Sequence, residues 1–144
     1  MDEFYAELWV RSFDETPTPN ELDSLLGVKC DRGFLDVRPS TTIRYKSGWL
    51  LRSRLPGKAP LEDHVKDLLE RVSPIAEKIG SIAQRPNVEV QFGCVIYTST
   101  RQEFYFTREQ VAAICAMGAY IDVDLYFLPK RTRRKKVSTD SAES

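Results

Sequence analysis

Residues 61–84 read LEDHVKDLLERVSPIAEKIGSIAQ. Leu61, Val65, Leu68, Leu69, Val72, Ile75, Ala76, Ile79, Ile82 and Ala83 recur at steps of three and four. That spacing lines them along one stripe of a helix and leaves the charged residues elsewhere. A stripe this wide must lie on a second apolar surface, and the strand-like segments on either side of it can supply one. Pro74, with Ser73 before it, interrupts the stripe. Serine at an N-cap followed by proline at the first helical position starts a helix, so the stretch reads as two helices meeting in a kink. His64, the sole histidine, sits in the first turn beside Asp63 and reads as a surface helix residue.

The flanks are strands by the same kind of argument. Residues 4–13, FYAELWVRSF, alternate: Phe4, Ala6, Leu8 and Val10 on one face, and Tyr5, Glu7, Trp9 and Arg11 on the other. Thr18-Pro19-Asn20-Glu21 is a capping box opening a short helix that Gly27 ends, with Leu22, Leu25 and Leu26 as its buried side. Residues 42–46 and 49–55, separated by Ser47-Gly48, read as a β-hairpin. Residues 88–98, VEVQFGCVIYT, begin alternating and become continuously apolar, as a central strand does. A second capping box at Thr107-Arg108-Glu109-Gln110 opens a helix with Val111, Ile114, Cys115 and Met117 inside, and Gly118 ends it. Residues 119–128 alternate again, with Ile121, Val123, Leu125 and Phe127 on the apolar side. The two ends thus echo each other, each pairing an alternating strand with a helix opened by Thr-x-x-Glu/Gln and closed by glycine. The expected fold is α+β: a single twisted, largely antiparallel sheet with helices packed on one face. Residues 1–129 form one domain in this reading, and 130–144 a disordered basic tail.

These segments also carry a resemblance. Leu25-Leu26-Gly27, Trp49-Leu50-Leu51, the LxxHVKDLLERV helix and the D-x-D-L-Y strand within residues 120–126 resemble the bacterial family labelled domain of unknown function 4279, over roughly residues 3–128. The resemblance implies a small bacterial cytoplasmic protein and supplies no catalytic residues.

Chemistry is sparse. Catalysis needs converging acids, bases, nucleophiles or ligands, and the chain has no nucleophile elbow, phosphate loop or dinucleotide fingerprint. Cys30, Cys94 and Cys115 are scattered; Cys94 and Cys115 read as small buried residues. No metal, cofactor or catalytic residue is expected. No run of about 20 apolar residues would span a membrane, and the acidic N-terminus is unlike a signal peptide.

Three candidate surfaces remain. The first is the sheet face away from the helices. Tyr5, Glu7, Trp9, Arg11, Tyr120, Asp122, Asp124 and Tyr126 all fall there, with Glu89 and Gln91. Tryptophan, tyrosine and arginine are the types enriched at binding hot spots. The face therefore suits a protein or a small polar ligand, in a non-enzymatic binding module of immunity or inhibitor type. Arg52 and Arg54, spaced like the two aspartates, are expected to lie opposite them as an ion-pair ladder. The second surface is basic. Residues 29–58 hold eight cations against Asp31 and Asp36, net +6, although the chain as a whole has net charge +0. Arg44, Lys46, Arg52 and Arg54, with Phe34, Tyr45 and Trp49 among them and Arg133 and Arg134 in the tail, suit phosphate contacts and base stacking. Arg32-Gly33-Phe34 is a partial match to an RNA-binding signature that Leu35-Asp36 departs from. The third candidate is a carboxylate-dependent hydrolase centred on Asp122 and Asp124, whose carboxylates share one side of a strand.

Overall fold

A computed structural model describes residues 2–38 and 45–129. Five strands, β1 (Glu3–Ser12), β2 (Arg32–Leu35), β3 (Ser47–Arg52), β4 (Val88–Thr98) and β5 (Ala119–Phe127), form one sheet in the order β2-β3-β1-β4-β5. All pairings are antiparallel except β4 with β5, which is parallel. Among the described residues four α-helices accompany them: α1 (Pro19–Leu26), α2 (Leu61–Val72), α3 (Ala76–Ala83) and α4 (Arg108–Ala116). The fold is α+β, with the helices on one face of the sheet.

The core lies between that face and the helices. Phe4, Ala6, Leu8 and Val10 of β1 and Val90, Phe92, Cys94 and Ile96 of β4 are buried with Leu61, Val65, Leu68, Val72, Ile79 and Ile82. Both capping boxes form as read. The Thr18 and Thr107 side chains accept from the N–H groups of Glu21 and Gln110, whose side chains accept in return from the two cap N–H groups. Gly27 and Gly118 stand at φ +72° and +67°, conformations that favour glycine because it has no Cβ to clash.

Several expectations need correction. Ser47-Gly48 is no hairpin turn; it opens β3, which pairs with β2 so that Phe34 faces Gly48 and Leu35 faces Ser47. A Cβ on Gly48 would collide with the Phe34 ring, so glycine marks a close approach rather than a chain reversal. Residues 42–44 of the expected hairpin lie outside the described residues, as does the expected tail. The helix junction is a 3₁₀ turn, Ser73–Ile75, in which Ser73 caps nothing; its N–H continues the ladder to the Leu69 carbonyl. Leu25, Val111 and Cys115 are exposed, because these short helices touch the core only through Leu22 and Leu26 of α1 and Ile114 and Met117 beside α4.

The largest correction concerns His64, which is fully buried. β3 ends at Arg52, and the following loop takes its place beside the start of β1. Ser53 N–H donates to the Ala6 carbonyl (2.8 Å), and Phe4 N–H donates to the Gly57 carbonyl (2.8 Å). The Ser53 hydroxyl accepts from Ala6 N–H (3.0 Å) and donates to His64 Nδ1 (2.6 Å), while His64 Nε2–H donates to the Pro56 carbonyl (3.0 Å). A carbonyl can only accept, so the proton sits on Nε2 and Nδ1 is left to receive the hydroxyl. The imidazole is a neutral bracket between helix and loop, with both nitrogens satisfied.

Burial lowers the His64 pKa below its ordinary value of 6.5. The unfolded chain therefore binds this proton first as pH falls. Stability is at its full value above pH 6.5 and declines as pH drops from there through the folded-state pKa. Urea melts should show this decline, and His64→Gln should flatten it. For packing, Leu68 has no exposed surface whereas Leu69 is half-buried at the edge of the core. Leu68→Ala should cost about 2–5 kcal/mol in the same melts, and Leu69→Ala distinctly less.

Candidate functional site

The pleat of β1 sends alternate side chains away from the helices, and its two neighbours continue each row. Tyr5 lies beside Val95 and then Asp124; Glu7 beside Gly93 and then Asp122; Trp9 beside Gln91 and then Tyr120. Arg11 stands beside Glu89, and Glu3 beside Tyr97 and then Tyr126. All eight residues read from alternation as an open binding face thus share one surface.

One end of this surface is aromatic and cationic. The Arg11 guanidinium lies 4.5 Å from the Trp9 ring centroid and 5.0 Å from that of Tyr45. It donates to Gln91 Oε1 (2.9 Å), which also accepts from the Tyr120 hydroxyl (2.9 Å). Tyr45 donates to Glu89 (2.6 Å), and burial, followed by that bond, pushes its hydroxyl up to about 12. Phe34 meets Trp9 edge-on at 6.1 Å. Charge delocalised over rings and closed by hydrogen bonds holds these side chains in one arrangement.

The other end is acidic. Glu7 and Asp122 flank Gly93, which contributes no side chain to the floor between them, and Asp124 stands one step along the same face beside Val95. Glu7 is neutralised by Arg52 (2.9 and 2.5 Å), whose guanidinium also lies 4.6 Å from the Tyr5 ring centroid. Asp122 receives a long contact from Gln91 Nε2 at 3.5 Å. The Asp124 carboxyl is pushed above its ordinary range by burial first, then by the charge and hydrogen bond of Asp122 and the charge of Glu7, against a weaker pull from Arg11. Tyr97 and Tyr126 stack beside this end with centroids 4.9 Å apart.

The expected ladder of Arg52 and Arg54 opposite the aspartates does not form. β1 and β4 stand between β3 and β5, so Arg52 reaches only as far as Glu7. Arg54 turns to Asp31 (3.6 Å), which Arg71 also holds (2.7 Å). Part of the basic segment is likewise bound up internally. Arg38 pairs with Asp36 (2.8 Å), holding that carboxyl at about 2, and Lys46 donates to the Arg38 carbonyl (3.2 Å). Trp49 offers no stacking surface; it is fully buried, with its indole N–H donating to Asp23 (2.8 Å). Arg44, Arg133 and Arg134 lie outside the described residues. As for a hydrolase, Asp122 and Asp124 stand on an open sheet face, and among the described residues no group of three His, Cys, Asp or Glu side chains is placed to hold a metal ion.

Tyr97 and Gly93 belong to the surface without having been singled out, and so does Tyr45, which was singled out only for the basic segment. Tyr97 and Gly93 keep the parity of Gln91, but the almost unbroken apolar run of β4 hides that alternation. Tyr45 precedes its strand and reaches the face through its bond to Glu89.

Two adjacent carboxylates of like charge should cost stability once both are ionised. Because the folded-state pKa of Asp124 is raised above 3.8, its contribution is intact below that pH and lost as pH rises through the folded value. Asp124→Asn should therefore stabilise the protein at pH 7, by a few tenths of a kcal/mol given solvent screening. The gain should vanish in melts at pH 3.

No helix among the described residues is long and apolar enough to cross a membrane. No curated protein and no solved structure matches the chain. A family model, described as "Domain of unknown function (DUF4279)", matches residues 2–128, which include every strand and helix described above. The chain belongs to that family.

Proposed function

We propose that this protein is a non-enzymatic binding module, of immunity or inhibitor type, that engages another protein through the open face of its sheet. The observation that carries this reading is the Asp122–Asp124 pair, which makes no ion pair among the described residues, with Arg11 acting on Asp124 only weakly and at a distance, although Glu7, Asp31 and Asp36 each pair with an arginine. A like-charge contact kept at a cost to stability is the kind of local conflict expected where function overrides folding. Tyr120 and Tyr126, 44% and 49% exposed, flank the pair and offer large amphipathic rings. The Arg11–Gln91–Tyr120 bonds hold part of the surface ready, which lowers the entropy lost on association.

A protein is favoured over a small ligand because the face is open. Four cavities of about 300 to 520 Å³ among the described residues lie around α1, at the start of α2 and on the helix side of β4 and β5, and none of these four has a lining that includes Asp122 or Asp124. The ion pairing of Arg38, Arg52 and Arg54 within the fold ranks a nucleic-acid partner lower. Three free cysteines accord with a cytoplasmic setting.

The test is affinity capture from the native host followed by mass spectrometry, repeated with Tyr120→Ala and Tyr126→Ala. Leu25→Ala, exposed on α1, serves as the control. Each tyrosine change should weaken the captured interaction roughly thirtyfold, the scale of a hot-spot residue, with little change in melting temperature. An interaction indifferent to both tyrosines would refute the open-face reading.

A further inference from the structure

β5 is a sheet edge. It pairs with β4 on one side, and among the described residues nothing pairs with the other. An unpaired edge presents a row of backbone donors and acceptors, and proteins ordinarily blunt it with short strands, proline, lysine or a covering element. Here the strand runs nine residues, AYIDVDLYF, without proline, lysine or glycine.

The helix-side surface of this strand is also uncovered. Ile121, Val123, Leu125 and Phe127 align with Phe92, Cys94, Ile96 and Thr98 of β4, all of which are buried. Their own exposures rise along the strand from 38% through 44% and 49% to 67%. α4 shields the start of β5 and stops there. Beyond it a groove of about 330 Å³ opens, with Ile96, Phe104, Val123, Leu125 and Phe127 in its lining. The other side of the same strand carries Asp122 and Asp124. The edge thus offers three features in register: free backbone groups, an apolar trough on one side and negative charge on the other.

We propose that the free edge of β5 is the docking site for an extended segment of a partner protein, added as a sixth strand, with apolar residues at alternate positions filling the groove and lysine or arginine at the intervening positions meeting Asp122 and Asp124. In this mode backbone bonds supply affinity and alternate side chains supply selectivity. The pleat then requires the partner's apolar and basic residues to alternate singly. A second copy of the chain fits less well. Antiparallel self-pairing in the register of fullest overlap, centred on Val123, would set Asp122 opposite Asp124 twice, and like charges directly opposite are destabilising. The inference rests on the open-face reading and specifies its partner.

The experiment uses the full chain and synthetic nonapeptides, observed by amide chemical shifts and hydrogen exchange. A peptide alternating valine and lysine should shift and protect amides within Ala119–Phe127, and bind more weakly as salt rises. Its valine–glutamate counterpart should not bind. Asp122→Asn with Asp124→Asn should weaken binding at least tenfold; Val123→Lys and Leu125→Arg, each checked for folding by its melting curve, should abolish it. No binding by the valine–lysine peptide, equal binding by the glutamate peptide, or protection away from β5 would overturn the proposal. So would dimerisation of the free chain with β5 protected, which would put a second copy there. If Val123→Lys abolishes peptide binding but leaves partner capture intact, strand addition falls and the open face stands. If the peptide binds as expected while capture ignores Tyr120 and Tyr126, the open-face reading falls.

Discussion

β1 is the member on which the rest of the structure depends, because it is the middle strand of the sheet, paired antiparallel on both sides and buried on one face. Its even-numbered residues up to Val10 supply the floor on which α2 lies, and its odd-numbered residues supply the centre of the polar surface. Antiparallel pairing of six residues with β3 and ten with β4 fixes its register. A slip of one residue would exchange Leu8 and Val10 for Trp9 and Arg11 in the core. The same constraint therefore holds the hydrophobic interior together and aligns the rows of Tyr5, Glu7 and Trp9 with Asp124, Asp122 and Tyr120.

Where the loop 53–60 takes over from β3, the interior acquires its main polar feature. Ser53, His64 and the Pro56 carbonyl replace ladder bonds that the short strand no longer makes. A buried imidazole is tolerated there because each nitrogen has a partner and the ring stays neutral. The arrangement looks like a serine–histidine couple of the kind used in catalysis, yet Ser53 and His64 are both buried and His64 has a backbone carbonyl where an acid would orient it. The geometry describes a structural bracket.

Long alternating or periodic segments were legible in the sequence because many residues vote together. β1, β4, the α2–α3 stripe and both capping boxes came out in place, and so did the eight-residue polar surface, whose membership follows from parity alone. Shorter segments failed for physical reasons. An eight-residue helix such as α1 touches the core through two leucines, and spacing cannot say that Leu26 rather than Leu25 is the second. Gly48 reads as a turn because glycine punctuates chains, whereas its role is to admit the Phe34 ring, a neighbour distant in sequence. His64 lies on the polar side of no pattern; only the Ser53 hydroxyl and the Pro56 carbonyl, brought in by the loop, make its burial possible. Arg52 and Arg54 share a spacing with the aspartates, but spacing along a strand says nothing about strand order. In each case the missing information was long-range.

The two edges of the sheet are unequal, and that inequality governs how the molecule can assemble. β2 closes one side with four residues, while β5 leaves nine on the other. A chain with two long, matching edges is a monomer unit for a polymer, since each addition exposes a fresh end identical to the last. Here the edge used in joining differs from the edge left behind, both in length and in charge. A head-to-tail contact would have to fit a nine-residue strand bearing two aspartates against the four residues Arg32–Leu35, and most of its backbone groups would find no counterpart. Among the described residues the edge used in joining and the edge left behind do not match, and that mismatch disfavours growth by repetition.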